Sequence, residues 1–136
     1  MMPRTVSLIA TLIRLLSPKL DPSRVYIDLW CRNRSEGIVE VSNEYDFASG
    51  TGYTGTRRVR SWQERVAALE TLGFVRVKPL GTRKFGFILL LHPHDVVASL
   101  REEDNTRVPD WWWDLFSNTL QDMGASLRTP AAEFPF

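Results

Sequence analysis

The sequence predicts an α+β fold in which several helices surround a small antiparallel β-hairpin, and three observations carry that prediction. Val59, Trp62, Val66, Leu69 and Leu72 recur as one stripe of an amphipathic helix, which ends at Gly73, a residue suited to a left-handed cap. Phe74-Val75-Arg76-Val77-Lys78 alternates apolar and basic side chains as a half-exposed strand does, and Phe85 to Leu91 reads as a second, more apolar strand. Between them Pro79-Leu80-Gly81-Thr82-Arg83-Lys84 is a hairpin loop with a basic tip.

The other elements follow in chain order. Val6, Leu8, Ile9, Leu12, Ile13, Leu15 and Leu16 mark a first helix, which Ser17-Pro18 ends because proline cannot continue it. Asp21-Pro22 opens a second helix, from about 22 to 32, with Val25, Tyr26, Leu29 and Trp30 on its apolar side. Arg32 to Gly37 is polar loop, and β-branched Ile38 to Val41 is a short strand. Ser42 or Asn43 caps a brief helix through Ala48, ahead of a glycine-rich turn at 50 to 55, and the long helix starts after Thr56. Past Pro93, Val96, Val97 and Leu100 mark a short helix, and Glu102 to Arg107 is a polar break. Pro109-Asp110 opens a last helix whose buried side is Trp112, Leu115, Phe116, Leu120 and Met123, with Gly124 as its end. The tail from 125 to 136 has no periodicity and reads as loosely ordered. A chain of 136 residues is then a single domain, with a core at about 38–92 and flanking helices at about 5–32 and 95–124.

Composition narrows the function classes. At 43% hydrophobic and 24% charged residues the chain is neither disordered nor fibrous. Cys31 is the only cysteine, which excludes an intramolecular disulfide and a thiolate-rich zinc site and fits a reducing cytoplasm. Arg14 interrupts the apolar stretch from Val6 to Leu16 and no small-residue cleavage site follows, so a buried helix is expected there rather than a signal peptide. No apolar run reaches the ~18 residues of a membrane span. Net charge is +1, but it is unevenly spread: residues 57–84 hold eight basic groups against Glu64 and Glu70, while residues 95–136 hold eight acidic against three basic. Such a basic middle and acidic end suit partners of opposite sign, or each other.

Two motifs invite chemistry and do not sustain it. Gly50 to Gly55, GTGYTG, fits the G-x-G-x-x-G pattern of dinucleotide-binding loops, but such a loop needs its first glycine at the end of a strand. Eight residues separate Val41 from Gly50, and the next strand ends in Lys78 rather than the carboxylate that would hold a ribose. The glycines are expected to supply positive φ and close approach in a turn between two helices. His92-Pro93-His94-Asp95 offers two histidines but no third or fourth ligand, and nothing supplies a positioned nucleophile and base together. Asp95 is expected to cap the next helix; neither a cofactor nor a catalytic role is expected.

Short helix, turn, long amphipathic helix, Leu-Gly-Phe, strand, basic hairpin and strand form an order that resembles the winged helix-turn-helix superfamily. SNEYDFASGTGYTG carries the first helix and turn, RRVRSWQERVAALETLGFVRV the long helix and first strand, and KPLGTRKFGFILL the hairpin, or about 50 of the 136 residues. GTGYTG is longer and richer in glycine than the usual turn. The resemblance implies a DNA-binding regulator of transcription or replication, with the long helix in the major groove and the hairpin, or wing, on the backbone. On that helix Arg57, Arg60, Ser61 and Glu64 lie opposite the apolar stripe, and these residue types suit base edges: arginine pairs with guanine, glutamate accepts from cytosine N4, and serine serves either. Thr54, Thr56 and Arg58 near the helix start suit phosphate contacts, and Arg83 and Lys84 at the hairpin tip suit the backbone or the minor groove. Trp62 lies on the apolar stripe and belongs to the core.

Trp111, Trp112 and Trp113 point about 100° apart on a helix and cannot all face inward. Trp112 aligns with the buried side, which leaves Trp111 and Trp113 for a subunit or partner interface, where tryptophan is enriched. Pairing through the N- or C-terminal helices would give a homodimer presenting two long helices to a pseudo-palindromic duplex. The competing reading is a winged-helix protein-interaction module, in which the basic face meets an acidic partner and the tryptophans form the contact.

Overall fold

The computed structural model describes residues 5–33, 36–104 and 106–123. Within them the chain forms α1 (Val6–Leu16), α2 (Ser23–Arg32), β1 (Ile38–Glu40), α3 (Glu44–Thr51), α4 (Arg58–Leu72), β2 (Val75–Leu80), β3 (Arg83–Leu90), α5 (Pro93–Glu103) and α6 (Asp110–Asp122). The fold is α+β, with six helices and one three-stranded antiparallel sheet among the described residues. Gly124 and the tail that follows, and positions 34 and 35 of the polar loop, lie outside them.

The strand order is β1-β3-β2, so the most apolar strand lies in the middle. Val39 stands opposite Ile88 and Val75 opposite Leu90, and these four are buried together on one face of the sheet. Arg76 and Lys78 alternate to the other face and are exposed. A register shift between Lys78 and Leu80 takes up Pro79, which has no N–H to give to a ladder. The hairpin then closes over Gly81, at φ 62°, and Thr82, with Leu80 opposite Arg83. Arg83 and Lys84 therefore begin β3 instead of forming the tip of a six-residue loop, because the irregularity at Pro79 lets pairing run further than the alternation of side chains suggests.

Every element sends residues into one apolar cluster. Trp62 of α4 is fully buried, with Phe47 of α3 and Phe85 of β3 edge-on to it at 5.8 and 5.7 Å between ring centres. Its indole N–H finds no acceptor among the described residues, so its contribution is packing alone. Tyr26 meets Trp30 and Phe74 edge-on, which ties α2 into the same cluster rather than leaving it on a flank. On α6, Trp112 stacks on Phe116 at 4.9 Å and its Nε1 donates to the Leu8 carbonyl of α1 at 2.9 Å. Leu115, expected on this inner side, is instead 47% exposed: Trp112, Phe116 and Leu120 already fill the arc that faces the domain.

α5 begins differently from the expectation. His92 is the N-cap, its Nδ1 accepting the His94 N–H at 3.2 Å, and Pro93 takes the first helical position. Asp95 falls inside the first turn, where its charge suits the helix dipole but its side chain is too late to cap. The helix runs on to Glu103, into the stretch expected as a break. His94 turns into the core: its Nε2 is 2.7 Å from the Thr5 hydroxyl and its ring stands edge-on to Phe116 at 5.4 Å. Burial, with help from His92 and against Asp95, holds its pKa down at about 4. Among the described residues no helix is long and apolar enough to cross a membrane.

Candidate nucleic-acid interface

α3 starts at Asn43, whose Oδ1 accepts the N–H groups of Tyr45 and Asp46 at 3.0 and 3.3 Å. It runs past Ala48 to Thr51 and stops because Gly52 takes the left-handed conformation, φ 107°. At Gly50 a Cβ would come within 2.6 Å of the Arg32 guanidinium, which is fixed to Asp28 at 2.7 Å and lies over the Phe47 ring. GTGYTG thus holds a helix end and a close approach of α2, in a turn that hands the chain to α4.

α4 buries Trp62, Val66 and Leu69, with Val59 half-buried, and this orientation leaves Arg57, Arg60 and Glu64 exposed on its outer side and Ser61 half-buried. Thr54 and Thr56 are exposed in the turn before it. Arg58 has a different role. Its Nε donates to the Gly55 carbonyl at 3.1 Å, its Nη1 to the Ser49 hydroxyl at 2.9 Å, and its guanidinium lies 4.4 Å from the centre of the Tyr45 ring. It braces α4 against α3 and has fewer donors left for a ligand.

Between α4 and the hairpin runs a groove lined by Arg60, Gln63, Glu64 and Ala67 on one side and Thr82, Arg83, Lys84 and Phe85 on the other, with Glu44 at its end. Gln63 Nε2 donates to Glu44 Oε1 at 2.6 Å, joining α4 to the start of α3. Arg83 reaches back to the carbonyls of Val41 and Ser42, at 3.1 and 3.4 Å, and joins the hairpin to the same point. Of the two cations that begin β3, Lys84 has no such tie among the described residues; it is exposed, its ammonium 5.7 Å from the Phe85 ring centre.

One cation at this end of the molecule escaped the sequence reading. A Cβ on Gly52 would lie 3.6 Å from the guanidinium of Arg24, an exposed residue in the first turn of α2. Arg65 of α4 lies over Tyr53 at 4.9 Å. Burial raises the Tyr53 pKa, and the Arg65 charge opposes it, while Asp21 adds to the rise and Arg24 counters it. Arg24 and Arg65 thus stand near one tyrosine in the turn that precedes α4. Nothing local could have linked Arg24 to a turn so far downstream; the link is made by the packing of α2 on α3.

A second cleft lies between the end of α4 and α5, lined by Thr71, His92, Asp95, Ser99, Glu103 and Arg107 among others. His94 does not enter it, being turned toward Thr5. Among the described residues no three His, Cys, Asp or Glu side chains converge to hold a metal ion. Of the two tryptophans expected at an interface, Trp111 is 58% exposed, whereas Trp113 is half-buried against Phe116 and under the Arg101 guanidinium at 4.9 Å. The chain matches no protein-family model, no curated protein and no solved structure.

Proposed function

We propose that this chain is a non-catalytic, sequence-dependent binder of double-stranded DNA, a winged helix-turn-helix regulator of transcription or replication. In this reading α4 enters the major groove and the β2–β3 hairpin lies along the backbone as the wing. The observation that carries it is the groove between these two elements, with Arg60 and Glu64 on the helix wall and Thr82 and Lys84 on the hairpin wall. Its helix wall offers groups that hydrogen-bond base edges, and its hairpin wall offers a free ammonium for phosphate. Arg57 at the start of α4, with Thr54 and Thr56 before it, extends the polar rim toward a second phosphate. The order α3, turn, α4, β2, hairpin, β3 supports the same reading. The competing protein-interaction module draws on exposed Trp111, which lies on α6 and lines no part of this groove.

Titration of duplex DNA across a salt series tests the proposal. Affinity should fall linearly on a log-log plot, and Lys84→Ala should make the slope shallower by about 0.9 while weakening all sequences about equally. Arg60→Ala should instead change the preferred sequence, by about 1 to 3 kcal/mol at the base pair it reads. Absence of duplex binding even at low salt overturns the reading in favour of a protein partner.

A further inference from the structure

α6 is joined to α1 by the Trp112 indole on the Leu8 carbonyl, and each of the two helices carries exposed apolar side chains next to its own buried side. Trp111 is 58% exposed, Leu115 47% and Leu15 45%. On α6, Trp111, Leu115, Asn118 and Asp122 follow at spacings of four, three and four and form one stripe beside the buried Trp112 and Phe116. On α1, half-buried Leu8 and Thr11 and exposed Leu15 do the same beside the buried Ile9 and Leu12. Tryptophan and leucine exposed on two joined helices mark a contact surface, because water is a poor neighbour for them and tryptophan is a frequent interface anchor.

Charge identifies what covers it. The α1 side carries exposed Arg14 and Lys19, with no acidic residue from Thr5 to Leu20. α6 carries exposed Asp114 beside that stripe and Asp122 at its end, with no basic residue of its own from Asp110 to Met123; Arg101 of α5 lies on the Trp113 side of the helix and bonds Asp110. A two-fold axis lays a patch on its own image, so that each margin meets the opposite margin of the other copy. An apolar strip with a basic margin on one helix and an acidic margin on the next is complementary to itself under that operation. We propose that the α1–α6 face is a two-fold contact between two copies of this chain, with Trp111 and Leu115 of each packed toward Leu8 and Leu15 of the other. The proposal does not depend on DNA binding.

Sedimentation velocity across a wide concentration series tests it. The parent should pass from monomer to dimer, and Trp111→Ser, or Leu115→Ser as an independent variant, should raise the dissociation constant about tenfold or more while melting like the parent. A chain carrying Arg14→Glu with Lys19→Glu should dimerise poorly, as should one carrying Asp114→Lys with Asp122→Lys. Mixed in equal amounts, these two chains should form a heterodimer, since each margin then faces its opposite. A parent that stays monomeric to the highest concentration overturns the proposal, whatever else the strip binds. So does a dimer indifferent to Trp111→Ser and Leu115→Ser, or charge-reversed chains that fail to recover on mixing.

Discussion

Lowering the pH should weaken this fold through one residue before the carboxylates take part. His94 is buried between Thr5 and Phe116, and its pKa is held at about 4 rather than 6.5, chiefly because burial disfavours the charged ring, with His92 adding to the effect and Asp95 opposing it. The unfolded chain therefore takes up a proton near pH 6.5 that the folded chain refuses until near pH 4. Stability is full above pH ~6.5, falls as the pH drops toward ~4, and levels off below that. A difference from 6.5 to about 4 corresponds to about 3 kcal/mol, and some relaxation of the solvent around the ring lowers this toward about 2. Either value is a large share of the stability of a domain of this size. Urea unfolding followed by tryptophan fluorescence, at about pH 7.5 and about pH 4.5, reads it directly. The upper part of the window lies above the carboxylates: Asp104, whose pKa its hydrogen bonds to Thr106 hold down, is fully exposed and titrates lower still. His94→Phe keeps a ring of similar size and should lose most of the acid sensitivity. An unchanged urea midpoint for the parent at the two pH values, or equal acid sensitivity in His94→Phe, refutes the assignment.

Further outcomes follow from the same structure. Trp62→Ala should cost about 3 to 5 kcal/mol, because a fully buried indole is lost beside Phe47 and Phe85; a variant that melts like the parent but no longer binds DNA would mean that Trp62 faces the ligand. Arg58→Ala should destabilise by about 1 to 2 kcal/mol through loss of its bonds to Gly55 and Ser49, whereas Arg57→Ala should leave the melt unchanged; equal melts for both would remove Arg58 as a brace. Arg24→Ala should make the salt slope of DNA binding shallower by about 0.9 without changing the preferred sequence, and an identical slope would place Arg24 outside the footprint. His92→Ala should lower stability by about 1 kcal/mol in chemical denaturation, through the cap of α5, and Asp95→Ala by less; the reverse order would restore Asp95 as the cap.

The elements that were legible in the sequence are those whose signal is local and repeated. α4 has five apolar residues in one stripe and a glycine stop, and the structure gives Gly73 the left-handed φ of 95° that this pattern requires. β2 and β3 were legible as strands, but their register was not, since the irregularity at Pro79 is set by which residue of β3 each residue of β2 meets. The same division runs through the candidate interface. Arg57, Arg60 and Glu64 are exposed where the helical wheel puts them, because only the buried stripe of α4 itself fixes their direction. Arg58 and Arg83 are basic residues of the same kind, yet Arg58 is drawn to the Ser49 hydroxyl of α3 and Arg83 to the Val41 carbonyl, partners that packing brings near and of which sequence gives no sign. His94 and Trp112 go further still: their partners Thr5 and Leu8 lie 89 and 104 residues away.

The ties made by Gln63 and Arg83 have a consequence for how the groove meets a ligand. Gln63 fastens α4 to Glu44, and Arg83 fastens the hairpin to Val41 and Ser42, so both walls hang from the same few residues at the start of α3. Walls that share an anchor restrain one another, and each tie narrows the range of spacings between them. In the proposed role, such a groove would act on a duplex as a gauge, admitting a stretch whose local width and curvature already fit and making any other stretch bear the cost of bending. Selectivity of that kind would extend to base pairs no side chain touches, and on the proposed reading Gln63→Ala, which removes no charge, should weaken it.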